Sequence, residues 1–254
     1  MHAPEPAIRL RGVKKAFGSF QVLRGVDLDI PQGQTTVVIG LSGAGKSVLL
    51  KVIMGLVAPD EGTVEITGVD ITKLRESERR QIRTRFGYVF QNGALFDSMN
   101  VYDNVAFPLV EHTKLSESEI RGRVMAAMAA VGLEAHGHKM PSNLSGGMRK
   151  RASLARALVR DPEFLLYDEP TTGLDPIRTA SIDQLIADTQ ANNPRVTSVV
   201  ISHDMHATFR IAHKVAMLMD GAIAVEGTPT EVSQSLDARV QQFIEGRLEG
   251  PIQV

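Results

Sequence analysis

Cysteine is absent from the 254-residue chain, which excludes disulfides and thiolate metal sites and agrees with a reducing compartment. No apolar run approaches the roughly 20 residues that span a bilayer, and no basic segment followed by an apolar one opens the sequence. The expectation is a protein soluble in itself and cytoplasmic, serving a membrane, if at all, through partners. An excess of charge is missing too. Lys and Arg number 28 against 29 Asp and Glu, a formal net charge of -1, so no global electrostatic case exists for nucleic acid or an anionic membrane surface as main ligand. The remainder is ordinary for a globular chain, with 43% hydrophobic and 22% charged residues. The length favours one domain with a subdomain over two independent domains.

The chain is organised around Gly40-Leu41-Ser42-Gly43-Ala44-Gly45-Lys46-Ser47, which matches the phosphate-loop pattern G-x-x-x-x-G-K-[ST]. Glycines at 40, 43 and 45 allow positive φ, so successive N–H groups can turn inward on a polyphosphate. Lys46 adds a point charge for the β/γ-phosphates and Ser47 a hydroxyl suited to Mg²⁺. Thr35–Ile39 before the loop is a β-branched run of the buried parallel kind, and Val48–Met54 after it has helical apolar spacing. The helix start adds free N–H groups and a positive dipole end.

Elsewhere, Ile8–Val13, Gln21–Leu23 and Val26–Ile30 read as antiparallel strands and Thr63–Thr67 as another. Arg75–Arg85 reads as an exposed charged helix. Phe86–Phe90 is a strand followed by Gln91, and the interval to about Leu144 is mostly helical, with a capping box at Ser116-x-x-Glu119. A helix over Gly146–Val159, a strand Phe164–Tyr167, a helix Pro176–Gln190 and a strand Val196–Ile201 continue a βαβ alternation. Short strands Lys214–Met219 and Ala222–Val225 and a helix Pro229–Ser235 close the core. Leu236–Val254 reads as a tail with no core pattern beyond Val240, Phe243 and Ile244.

Open α/β sheets place ligands at the carboxyl ends of their strands. Asp168 and Glu169 follow one strand, where the first carboxylate can serve Mg²⁺ and the second can polarise water; His203 follows another, within potential reach of a γ-phosphate. A solvated pair and a polar surface histidine are the bland readings of each taken alone. His2, His112, His136, His138, His206 and His213 lack ligand-like spacing, so no metal is assigned to them. Leu144-Ser145-Gly146-Gly147-Met148 is a second anion-binding helix start without a second phosphate loop. Two copies arranged head to tail resolve the mismatch, with Ser145 of one covering the phosphate held by Lys46 of the other.

In this order Gly40–Ser47, Gln91, Leu144–Met148, Phe164–Glu169, Leu174-Asp175 and His203 resemble the Walker A, Q-loop, signature, Walker B, D-loop and H-loop of the ATPase subunits of ABC transporters. The resemblance spans about residues 8–230. It implies an α/β P-loop NTPase core with a mainly parallel sheet, an antiparallel β-subdomain and a helical subdomain at about 92–160, all within a domain over 1–235. The tail 236–254 is then a candidate dimer contact.

Position by position, the family implies nucleotide contact by Phe17, which would stack on adenine, by Gly40 to Ser47 and Val48, and across the dimer by Ser145, Gly146, Gly147 and Asp175. Ser47, Gln91 and Asp168 would serve Mg²⁺, Glu169 would be the general base, His203 the γ-phosphate sensor, and the Gln91 loop the contact with a membrane permease. Met148 replaces the usual glutamine.

Phe90-Gln-Asn-Gly-Ala-Leu-Phe-Asp97, Val105-Ala-Phe-Pro-Leu109, Leu144–Arg151 and Gln242-Phe-Ile-Glu-Gly246 with Gly250-Pro251 are similar, more narrowly, to the ATPases of the Mla system and related MCE-associated importers. That likeness implies phospholipid as cargo, an MCE-domain protein and a small STAS-domain protein as partners, and a peripheral place on the inner membrane. Another ABC importer with a different cargo, and a permease-free ABC clamp acting on ribosomes or DNA, stand as alternatives. With one phosphate loop and no room for a coiled coil between Gln91 and Ser145, the transporter without nucleic-acid partners is favoured over the clamp. A P-loop kinase or GTPase would leave Ser145-Gly146-Gly147 unexplained.

Overall fold

The computed structural model describes residues 6–253; His2 and the ends of the 1–235 and 236–254 segments lie outside them. The elements run β1 (Pro6–Phe17), β2 (Phe20–Pro31), β3 (Thr35–Ile39), α1 (Lys46–Ile53), β4 (Glu61–Ile66), β5 (Val69–Asp70), α2 (Glu76–Arg83) and β6 (Phe86–Val89). Next come α3 (Val101–His112), α4 (Glu117–Ala130), α5 (Gly146–Leu158), β7 (Phe164–Asp168), α6 (Pro176–Asn192), β8 (Thr197–Ile201) and α7 (Met205–Ile211). The chain closes with β9 (Lys214–Met219), β10 (Ala222–Gly227), α8 (Pro229–Ser233) and α9 (Ala238–Glu245).

Two sheets form. The antiparallel one has the order β2-β1-β4-β5, and the larger one β10-β9-β3-β8-β7-β6, parallel except for its β10 edge. The expected strands Gln21–Leu23 and Val26–Ile30 are one strand, because Gly25 takes φ 117° and absorbs the irregularity within β2.

Side-chain alternation divides the interior. Val38, Phe164, Leu166, Val199 and Ile201 face one way and meet Leu49, Leu50 and Ile53 of α1, which also pack under Ile8, Leu10, Leu28 and Ile30 of the antiparallel sheet. Val37, Ile39, Leu165, Tyr167 and Val200 face the other way and meet α5 and α6 through Leu154, Ala155, Ile182 and Ile186. Burying each such aliphatic side chain contributes about 1.5–3 kcal/mol, so α1 is clamped from two sides at its apolar stripe. Its start, and hence the glycine loop, is fixed in space.

The Ser116–Glu119 capping box opens α4 as expected. Between β6 and α3 the chain is held by buried Asn104, which accepts from the Phe96 N–H (2.7 Å) and donates to the carbonyls of Phe96 (3.0 Å) and Met99 (2.9 Å). In the segment after residue 236, helix α9 packs Val240, Phe243 and Ile244 against the core, the three positions the sequence singled out. The rest is more ordered than its reading as a tail: Gln242 grips Ile252, accepting from its N–H (2.7 Å) and donating to its carbonyl (3.0 Å). A polar side chain supplies that anchor, so hydropathy carries no trace of it.

Candidate active site

Strands β3, β8, β7 and β6 lie side by side and parallel. Their carboxyl ends deliver, in the same order, the Gly40–Ser47 loop, His203, Asp168 with Glu169, and Gln91. Residues 40 and 203, far apart in the chain, become neighbours through strand order alone.

In the loop Gly40, Gly43 and Gly45 take φ of 151°, 80° and 99°. A Cβ at Gly40 would collide with the Leu218 carbonyl oxygen of β9, and one at Gly45 would come within 2.8 Å of Val22 Cγ1 in β2. Both sheets therefore press on the loop, and only glycine fits. Helix α1 begins at Lys46, two residues before the apolar spacing starts, which places Lys46 and Ser47 in its first turn. Lys46 is buried, and its Nζ donates to the carbonyls of Gly40 and Leu41, each at 2.9 Å. Burial pulls its pKa down, opposed by the charges of Glu169 and Asp168. An anion arriving at this ammonium would replace neutral carbonyls as its partner.

Both oxygens of Asp168 are engaged. Ser47 Oγ donates to one (2.9 Å) and Tyr88 Oη to the other (2.9 Å). Burial, then the Asp168 charge, push the Tyr88 phenol up, so it stays a donor. Hydroxyl and carboxylate oxygens side by side are the hard donor set that Mg²⁺ prefers, so these residues fit that ion.

Glu169, one residue on, has φ 47°, a left-handed conformation that costs a non-glycine residue roughly 1–3 kcal/mol. Its N–H is held by the Ile201 carbonyl of β8 at 3.2 Å. The turn aims the carboxylate where Oε2 accepts from Thr172 Oγ1 (2.9 Å) and Gln91 Nε2 (3.2 Å), with His203 Nδ1 3.6 Å away. Three residues, from the ends of three strands, thus converge on one oxygen.

The signature stretch lies apart from them. Ser145 caps α5, its exposed Oγ accepting from the Met148 N–H at 3.3 Å. Among the described residues no hydrogen bond joins Ser145, Gly146 or Gly147 to the Gly40–Ser47 loop. Asp175 caps α6, accepting from the Arg178 N–H (3.0 Å), and Leu174 closes on Gly146. Met148 packs against the helical core. Phe17 ends β1 half-exposed, with Lys15 Nζ 5.6 Å from its ring centre. Sequence reasoning missed Tyr88, which reads as a core aromatic, and Thr172, one hydroxyl in a loop.

A glycine loop clamped between sheets, an oxygen pair for a divalent ion and a carboxylate aimed by a strained turn together define a P-loop nucleoside-triphosphate hydrolase. Comparison with known proteins narrows the class. The family described as "ABC transporter" matches residues 23–172. The probable ribonucleotide transport ATP-binding protein mkl of Mycobacterium leprae is 47% identical over 246 residues, covering 97% of this chain and 71% of its own. The intermembrane phospholipid transport system ATP-binding protein MlaF of Haemophilus influenzae is 42% identical, covering 96% and 92%. Among solved structures, a dimeric post-hydrolysis state of the ATP-binding cassette MJ0796 bound to ADP and Pi superposes with a TM-score of 0.79 at 31% identity, covering 87% of this chain and 98% of that one. The chain belongs to the ABC transporter family, as an ATP-binding subunit that hydrolyses ATP. No described helix is long and apolar enough to cross a membrane.

Proposed function

We propose that two copies of this chain close head to tail over two ATP molecules and drive a separate permease that moves phospholipid across the bacterial cell envelope. The catalytic part of this reading is carried by Glu169. Its carboxylate, set by a left-handed turn and faced by Gln91, Thr172 and His203, is the group to take a proton from the attacking water. Lys46 and the loop N–H groups bind the polyphosphate, Ser145, Gly146 and Gly147 of the second copy cover its far side, and Asp175 meets the partner beside them. Phe17 offers its face to adenine. Mg²⁺ held by Ser47, Asp168 and Gln91 would neutralise charge on the β- and γ-phosphates.

The helical subdomain, about 92–160, moves against the rest of the 1–235 domain, and the Gln91 loop meets the permease, which keeps the chain peripheral on the inner membrane. The tail 236–254 contributes to the dimer, and an MCE-domain protein and a STAS-domain protein complete the assembly. Likeness to MlaF over 96% of this chain supports the lipid cargo. The name of the mycobacterial relative, 47% identical, supports ribonucleotide as the second reading. Proteoliposomes holding the chain with its cognate permease decide between them. ATP-dependent transfer of labelled phospholipid is expected; ATP-dependent uptake of ribonucleotide with no lipid transfer would replace the first reading by the second.

A further inference from the structure

Helix α5 holds the segment after β6 by side chains rather than by any backbone ladder. Lys150 donates its amine to the Gln91 carbonyl, and Arg156 donates to the carbonyls of Gly93 (2.9 Å) and Ala94 (2.7 Å). These carbonyls are accessible because the segment turns through left-handed residues, Gly93 at φ 78° and Ala94 at φ 46°. Lys150 is buried, 7% exposed, and among the described residues no carboxylate is paired to it. Burial lowers its pKa while the charges of Glu169 and Asp168 raise it, so the ammonium sits within the field of the active-site carboxylates. A buried cation spent on one main-chain carbonyl is an expensive way to pin a loop that Asn104 already anchors further on.

The position of that carbonyl explains it. Gln91 is held through its backbone by Lys150, and its side chain donates to Glu169 at 3.2 Å. Lys150 stands five residues along α5 from its cap Ser145, about 7.5 Å at the helical rise. We infer that Lys150, supported by Arg156, is a positioning residue that fixes Gln91 to the helix presenting Ser145. Seating Ser145 on one nucleotide and setting Gln91 against Glu169 of the same chain are then a single displacement. Each nucleotide thereby reports its capture to the opposite site.

This rests on the roles proposed for Gln91 and Ser145, and a double-mutant cycle separates the two levels. Steady-state ATPase is measured on the full chain carrying Lys150→Met, Lys150→Arg, Gln91→Ala, or Lys150→Met with Gln91→Ala. Lys150→Met should lower kcat by about tenfold, the worth of one charge-assisted hydrogen bond, with KM for ATP within about twofold. Lys150→Arg should recover most of the loss. In the Gln91→Ala background Lys150→Met should cost nothing more.

Full turnover in Lys150→Met beside impaired Gln91→Ala overturns the inference, as do losses that multiply in the double variant. Full turnover in Gln91→Ala removes the proposed role of Gln91 itself, and the inference with it. Arg156→Lys, which retains charge but loses the two-pronged grip, gives the second variant should Lys150→Met fold poorly. It should show a smaller fall in kcat, again at constant KM, and a change in KM alone counts against the inference.

Discussion

Ser47 and Ser145 both stand at helix starts, and their surroundings differ. Ser47 is bound to Asp168, flanked by buried Lys46 and roofed by two sheets, so every group around it is already held by this chain. The Ser145 hydroxyl is exposed and, among the described residues, bonded only to an amide of its own helix. The first turn is made rigid in advance; the second, in the proposed dimer, meets a nucleotide delivered by the other copy. Preorganisation is worth most where charge develops, which places chemistry at the first turn and leaves recognition to the second.

The largest test removes the chemistry while sparing both turns. Glu169→Gln should cut turnover by roughly 10²–10⁴ while leaving ATP affinity in equilibrium binding unchanged; wild-type turnover would dismiss Glu169 as base. Ser145→Arg attacks the second turn and should reduce turnover by about 10–100-fold, with ATP affinity of the isolated chain within about twofold. Mixing these two inactive variants sharpens the contrast, because one site of each mixed pair then contains only intact parts. Activity should return on mixing, and its failure to do so would break the claim that sites are shared.

A smaller effect is expected inside the first half-site. Tyr88→Phe deletes one bond to a charged carboxylate and should cost about 1.5–3 kcal/mol at most, read as a lower Tm with a few-fold rise in the Mg²⁺ needed for half-maximal ATPase.

The smallest is a control remote from both turns. Asp183, buried between α6 and α7 beside Arg210 (3.1 Å), has its carboxyl pushed up to about 6 by burial, against the pull of Arg210. The native state then holds this proton more tightly than the unfolded chain, whose carboxyl titrates near 4. Stability should therefore fall as pH rises from about 4 to about 6 and level off above. Thermal denaturation of Asp183→Asn should show that slope flattened.

Much of this was legible in residue order. The β3-loop-α1 unit, the strand ends carrying Asp168, Glu169 and His203, and the α4 cap all follow from local patterns a few residues long. The rest depends on contacts between side chains and main chain across long separations. Nothing near Lys150 distinguishes a lysine that reaches Gln91 from one that faces water, and Gln242 looks like any surface glutamine until Ile252 returns to it. Tyr88 was hidden by its own strand, where an aromatic is expected whether or not its hydroxyl does anything. The proposal of a shared site has a different origin: an anion turn with no loop to serve is a mismatch of number, visible without coordinates.

The backbone angle at Glu169 carries one further consequence. Glycine accepts φ 47° at no steric cost, so Glu169→Gly should yield a catalytically dead protein that melts at a higher temperature than its parent. Chemistry and sturdiness pull in opposite directions at this one position, and a laboratory wanting an inert, long-lived version for structural capture has it a single substitution away.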